Sequence, residues 1–177
     1  ADQTDDATER RVLHREEILD IMQKEVVVYL THILSAGNVP HAVTDQGRRQ
    51  LRMADEYESV GDYGHTIAKL KHRLIDSGGA FTAEGAAEVL DLHDAVVECM
   101  RLVNEAYRDE HVELIAKIHT QGKIIKNKAR ESRQNHLRRV SESPMDPYSS
   151  VVFNDVVQAY QKINAHLVNV AEAMAEP

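Results

Sequence analysis

Apolar side chains recur every three or four residues along almost the whole chain, and three stretches interrupt them. That spacing is one face of a helix. The interruptions are Gly37-Asn38-Val39-Pro40, Ser77-Gly78-Gly79 and Ser143-Pro144-Met145-Asp146-Pro147. At the first, glycine supplies a left-handed cap and proline forbids continuation. The last is a firm breaker. No segment alternates like a strand. Val26-Val27-Val28-Tyr29 has β-propensity, but it lies inside a long helical period that overrides it.

The pattern predicts a first helix from about Thr8 to Ser35, with Ile18, Leu19, Met22, Val26, Leu30 and Leu34 among its apolar positions. Thr44 is the expected N-cap of a second helix, with Asp45 favourable in its first turn. That helix runs to Asp76 on a stripe of Met53, Tyr57, Val60, Gly64, Ile67 and Leu74. Thr82 caps a third. From there the pattern continues to Val140 with Gly122 as its one break, which predicts a single long helix kinked at Gly122 or two helices end to end. Ser149 or Ser150 caps a last helix to about Ala175, with Val152, Phe153, Val156, Tyr160, Ile163 and Leu167 on its apolar face. Long helices with short connections make an all-α, antiparallel up-and-down bundle of four to five helices. Residues 1–7, acidic and polar, read as a frayed N-terminal segment, and 8–177 as one domain.

Composition narrows the function. With 177 residues, 42% hydrophobic and 28% charged, the chain has enough apolar material for a real core. Aromatics are 5% and tryptophan is absent, which favours helices packed through aliphatic side chains. A net charge of −8 argues against a nucleic-acid partner. The lone Cys99, among apolar neighbours, reads as buried and fits a reducing compartment. No apolar run approaches the roughly 20 residues of a membrane span, and no secretory signal is seen. The chain opens at Ala1 rather than at methionine, so it reads as a piece of a larger protein, with room for a membrane part. No phosphate-binding loop or dinucleotide fingerprint is present, and Cys99 has no activating histidine nearby in sequence. The expectation is not an enzyme.

The stretch Ala54–Ala68 is the unusual one. Asp55, Glu56, Glu58 and Asp62 crowd into eight positions, and Gly61 and Gly64 interrupt a helical pattern. Asp55, Glu58, Asp62 and His65 fall at spacings of three and four and share a helix face, where like charges repel by a few tenths of a kcal/mol. Two readings are open: a solvated acidic face, or a cation site of Glu58 and Asp62 widened by Asp55 and His65. Oxygen ligands suit Mg²⁺, Ca²⁺ or Mn²⁺, and a histidine widens the choice to Zn²⁺, Ni²⁺ or iron. One helix supplies too few ligands, so another helix or a second subunit must complete it, which makes a homodimer plausible. Gly61 and Gly64 read as positions of close helix packing, and His136 and His166 as hydrogen-bonded packing residues. The basic run 123–139 reads as a solvated face, with anion or membrane-surface contact as its functional alternative.

The same stretch repeats. Tyr57–Ala68 aligns without gaps on Tyr160–Ala171: Tyr57 on Tyr160, Val60 on Ile163, and Ile67-Ala68 on Val170-Ala171. Glu58 and Asp62 face Gln161 and Ala165. A weak internal repeat predicts a pseudo-symmetric bundle of two related halves. The run Ala54-Asp55-Glu56-x-Glu58-x-Val60-Gly61-Asp62-Tyr63-x-x-x-Ile67-Ala68 resembles the signature of PhoU domains. Arg133-x-x-His136-Leu137-x-Arg139, Phe153-Asn154-Asp155-Val156 and His166-x-x-Asn169-Val170-Ala171-Glu172 resemble the PhoU-like tail of bacterial Na⁺/phosphate cotransporters. The likeness spans about residues 16 to 174. It implies two three-helix repeats, each with an acidic motif able to hold iron, zinc or nickel. Here Glu58 and Asp62 occupy the first motif, while Gln161 and Ala165 leave the second without ligands. It implies a regulatory domain on the cytoplasmic face of the inner membrane, partnered with the membrane domain of a phosphate transporter. The alternatives are a free-standing PhoU-like regulator of a phosphate ABC transporter and its sensor kinase, and a metal-dependent helical-bundle enzyme.

Overall fold

The computed structural model describes residues 3–35, 37 and 39–176. Five helices follow in order: α1 Gln3–Ser35, α2 His41–Asp76, α3 Ala83–Arg108, α4 Leu114–Glu142 and α5 Pro147–Ala175. Among the described residues there is no strand, and no helix is long and apolar enough to cross a membrane. The chain is an all-α bundle running up and down.

Chain chemistry sets the ends. Gly37 takes φ of +69°, the left-handed turn expected after α1, and Gly78, after α2, takes the same turn at +70°. Thr82 caps α3 by accepting from the Gly85 N–H at 3.0 Å. Two other caps differ from expectation. Helix α2 starts directly after Pro40, and the Thr44 hydroxyl donates back to the Pro40 carbonyl instead of capping. Helix α5 is capped by Asp146, whose carboxylate accepts from both the Ser149 N–H and hydroxyl at 2.7 Å. A carboxylate there also complements the helix dipole. Helix α1 begins at Gln3, ahead of Thr8, while residues 1 and 2 of the expected frayed segment lie outside the described residues.

The long third pattern is divided elsewhere than at Gly122. The chain reverses at residues 109–113, where Glu110 takes φ of 54° and the His111 N–H returns to the Ala106 carbonyl at 3.1 Å. Helices α3 and α4 then lie antiparallel, with Gln121 donating to the Ala95 carbonyl and Asn135 to Glu88. Gly122 sits buried in mid-helix, where a side chain would meet Val168 at 3.0 Å and Asn164 at 3.3 Å. It is a packing position.

Helix α5 is central. It packs on α2, α3 and α4, whereas among the described residues α1 touches α2 alone. Phe153, Leu167, Val170 and Ile163 from α5 meet Leu92, Cys99 and Val103 from α3 and Ile118, Ile125 and Ala129 from α4. Burial pushes the Cys99 thiol up to about 11, so it is an inert core side chain.

Of the two glycines expected at close approaches, only one fits. A side chain at Gly61 would come within 2.8 Å of Leu19, but at Gly64 it would meet nothing within 4 Å. Gly64→Ala therefore removes backbone freedom from the unfolded chain without a clash. The expected result is a gain of about 0.5–1 kcal/mol in urea unfolding, with Gly61→Ala giving less or a loss.

The repeat is structural as well as sequential. Tyr57 and Tyr160 stand 103 positions apart, and the same offset carries α1–α2 onto α4–α5. The packing follows it. Leu19 seats against Gly61 in the first hairpin, and their equivalents Gly122 and Asn164 meet in the second. Large and small have traded places across one conserved contact. Helices α2 and α5 pair antiparallel between the two hairpins, and α3 lies on α4 and α5.

Candidate functional site at the junction of the repeats

The repeated segments of α2 and α5 face each other, and their polar side chains meet. Glu56 accepts from Asn169 at 3.0 and 3.1 Å and pairs with His166 Nδ1 at 2.7 Å. Tyr63 stacks on the His166 ring, 5.6 Å between centroids. The helical period explains the set: His166 and Asn169 lie one turn apart on α5, so both reach one carboxylate on α2. A half-buried carboxylate held by three contacts fixes the register between the halves. At one end of the same pair, Arg52 reaches Glu176.

The four expected ligands lie on the other side of α2, toward α1. Asp55 is exposed and accepts from Gln23 of α1 at 2.6 Å. His65 turns Nδ1 toward Glu16 of α1 at 3.7 Å, and its Nε2 is buried with no hydrogen-bond partner. Asp62 is exposed, and Glu58 is half-buried. Burial first, then Asp62, Asp20 and Asp55, pushes the Glu58 carboxyl above its ordinary range. Asp20 is itself paired with Lys24 at 2.6 Å. Helix α1 thus adds Glu16 and Asp20 to the stripe. Among the described residues, no three of His, Cys, Asp and Glu gather around one point. The second copy differs at the same place: Gln161 accepts from Arg133 at 2.6 Å, whereas the equivalent of Arg133 in α1 is Leu30.

No family model matches this chain, and no curated protein does. What the chain can do therefore rests on its own side chains.

A second polar knot closes the far end of the bundle. Arg139 binds Glu88 through two parallel hydrogen bonds of 2.9 and 2.8 Å, and Asn135 donates to the same carboxylate at 2.9 Å. His136 Nε2 meets the Ser150 hydroxyl at 2.6 Å, and its ring stacks on Phe153 at 4.5 Å. Burial, then the neighbouring Arg139 charge, pushes His136 below its ordinary value, so it is a neutral packing side chain. Both His136 and His166 are hydrogen-bonded packing residues, as their sequence positions suggested. Along α4, Lys128 pairs with Asp91 and Arg139 with Glu88, so part of the basic run is neutralised by α3.

Sequence reasoning overlooked Glu56. It stands among four carboxylates and looks interchangeable with them. The available signal was on the opposite helix: His166 and Asn169 interrupt the apolar face of α5 one turn apart, and two polar groups facing a core require a partner.

Proposed function

We propose that this chain is a PhoU-like, non-catalytic regulatory domain that serves phosphate transport, attached to a Na⁺/phosphate cotransporter-type membrane protein at its cytoplasmic face. The observation that supports it is the meeting of the two resembling motifs. Glu56, from the first, holds His166 and Asn169, from the second, across antiparallel equivalents of one helix. A pseudo-symmetric bundle whose halves meet around one half-buried carboxylate suits a domain that transmits a state rather than one that performs chemistry.

The test uses the full native protein in membrane vesicles. Na⁺-driven uptake of radiolabelled phosphate is measured at several internal phosphate concentrations, with and without residues 1–177. Loss of the domain is expected to change the dependence on internal phosphate several-fold while leaving basal uptake. The same dependence with and without the domain, or no phosphate uptake by the intact protein, overturns the proposal.

A further inference from the structure

The two halves are related by sequence and by packing, yet among the described residues only one has a third helix packed along it. Helix α3 lies along the groove between α4 and α5, parallel to α5, and buries both. In the core that these three helices share, Ile125 and Ala129 of α4 are each 0% exposed. Their equivalents in α1 are Met22 and Val26, which are 57% and 36% exposed. Helix α5 buries thirteen residues and α2 four. Beneath Met22 and Val26 runs an open apolar groove of about 280 Å³, floored by Leu19, Met53 and Tyr57. Four of its lining residues, Met22, Val26, Met53 and Tyr57, are the counterparts of Ile125, Ala129, Val156 and Tyr160, all buried in the core that α3, α4 and α5 share. Tyr107 of α3 closes one side and donates to Gln50 of α2 at 3.0 Å.

We infer that the α1–α2 groove is a docking site for an amphipathic helix with basic flanks, supplied by a partner polypeptide and lying parallel to α2 as α3 lies parallel to α5. The apolar stripe follows from the groove. A helix such as α1, with apolar side chains toward α2 and others toward solvent, is stable when its second face is also covered.

Charge selects the flanks. Helix α3 brings acidic residues to a basic helix, with Asp91 on Lys128. In the open half the position equivalent to Lys128 is Glu25, Glu58 lines the groove, and Asp55 accepts from Gln23, another of the lining residues. The polarity is therefore reversed, and the complement of this rim is lysine or arginine. Two copies of the chain pairing through this face bring acidic stripe against acidic stripe, which opposes self-association there. This site lies on the α1 side of α2, away from the Glu56 junction, and its failure leaves the regulatory reading untouched.

The experiment titrates the intact chain with two synthetic 22-residue helices that share a leucine stripe at i, i+3, i+4 and i+7. One carries lysine flanks and the other glutamate flanks. Binding is followed by NMR shifts and calorimetry. The lysine peptide is expected to bind at least tenfold more tightly, with shifts centred on Met22, Val26 and Met53. Met22→Asp, at a position 57% exposed, is expected to weaken it tenfold or more while leaving the melting temperature within a few degrees of the parent. Glu58→Gln is expected to reduce the preference for lysine. Absence of binding, equal binding of both peptides, or shifts confined to other faces overturns the inference. So does concentration-dependent dimerisation in sedimentation that Met22→Asp abolishes, which would make a second copy the occupant.

Discussion

Phe153→Ala is expected to cost about 3–5 kcal/mol and to lower the melting temperature on the order of 10 °C. Phe153 is 2% exposed, on the central helix, where α3, α4 and α5 converge. Its ring meets Phe81 edge-on at 5.5 Å and stacks on His136 at 4.5 Å, and the Arg139 guanidinium lies over it at 5.6 Å. Gly85 faces it, and a side chain there would stand 3.3 Å from the ring edge, so the pocket is shaped around an aromatic. Removing the ring loses apolar burial, leaves a void between helices that cannot collapse together, and strips two polar neighbours of their apolar cover. Phe153→Leu keeps most of the volume and is expected to cost about 1.5 kcal/mol or less. Val151→Ala, on the exposed side of the same turn, is the control, expected within about 0.5 kcal/mol of the parent. Urea unfolding of the three variants checks the order. An alanine cost no greater than that of leucine would mean that this end of the bundle is loosely packed.

The helical class and the face of α5 were legible because period and burial coincide there. Val152, Val156, Ile163 and Leu167 recur at helical spacing, and all are buried. The reversal between α3 and α4 was not legible. Asp109-Glu110-His111-Val112-Glu113 holds neither glycine nor proline, and the apolar period continues on both sides. Packing makes that turn: the antiparallel pairing of α3 with α4 outweighs the left-handed backbone at Glu110, which costs of order 1–3 kcal/mol. Gly122 misled for the same reason. It is small to admit Asn164 and Val168, a need that lies 42 or more residues away in the chain. The repeat was visible in α2 and α5, where aromatic and β-branched positions are retained. Its extension into α1 and α4 was hidden, because the equivalent residues there have exchanged size, Leu19 for Gly122, and charge, Glu25 for Lys128. The acidic stripe was visible as a stripe. Its neighbours from α1, Glu16 and Asp20, could be placed only once α1 was laid antiparallel on α2.

Arg139→Ala is expected to cost about 3 kcal/mol, although the lost pair lies near the end of the bundle. The side chains of Arg139 and Glu88 are 14% and 19% exposed. Removing the guanidinium leaves Glu88 ionised, largely out of water, with Asn135 as its remaining donor. Breaking a buried pair from one side costs about 3–5 kcal/mol, because the surviving charge keeps its desolvation penalty. The residual exposure and the Asn135 bond place this case at the lower end. The cation over Phe153 is lost as well. Replacing both partners, Glu88→Leu with Arg139→Leu, removes the stranded charge and is expected to come within about 1 kcal/mol of the parent. The pH dependence separates this account from simple loss of volume. Burial pushes the Glu88 carboxyl up, but hydrogen bonds from Arg139 and Asn135 more than offset it, so in the folded chain it titrates below its ordinary 4.5. A lowered carboxylate stabilises the fold above pH 4.5, and that contribution is lost as pH falls through the folded value. The gap between parent and Arg139→Ala is therefore expected to be full at pH 7 and to narrow below pH 4.5, as Glu88 takes up its proton in both. A gap of equal size at pH 7 and pH 3 would show that Arg139 acts through its packing on Phe153 and not through its charge.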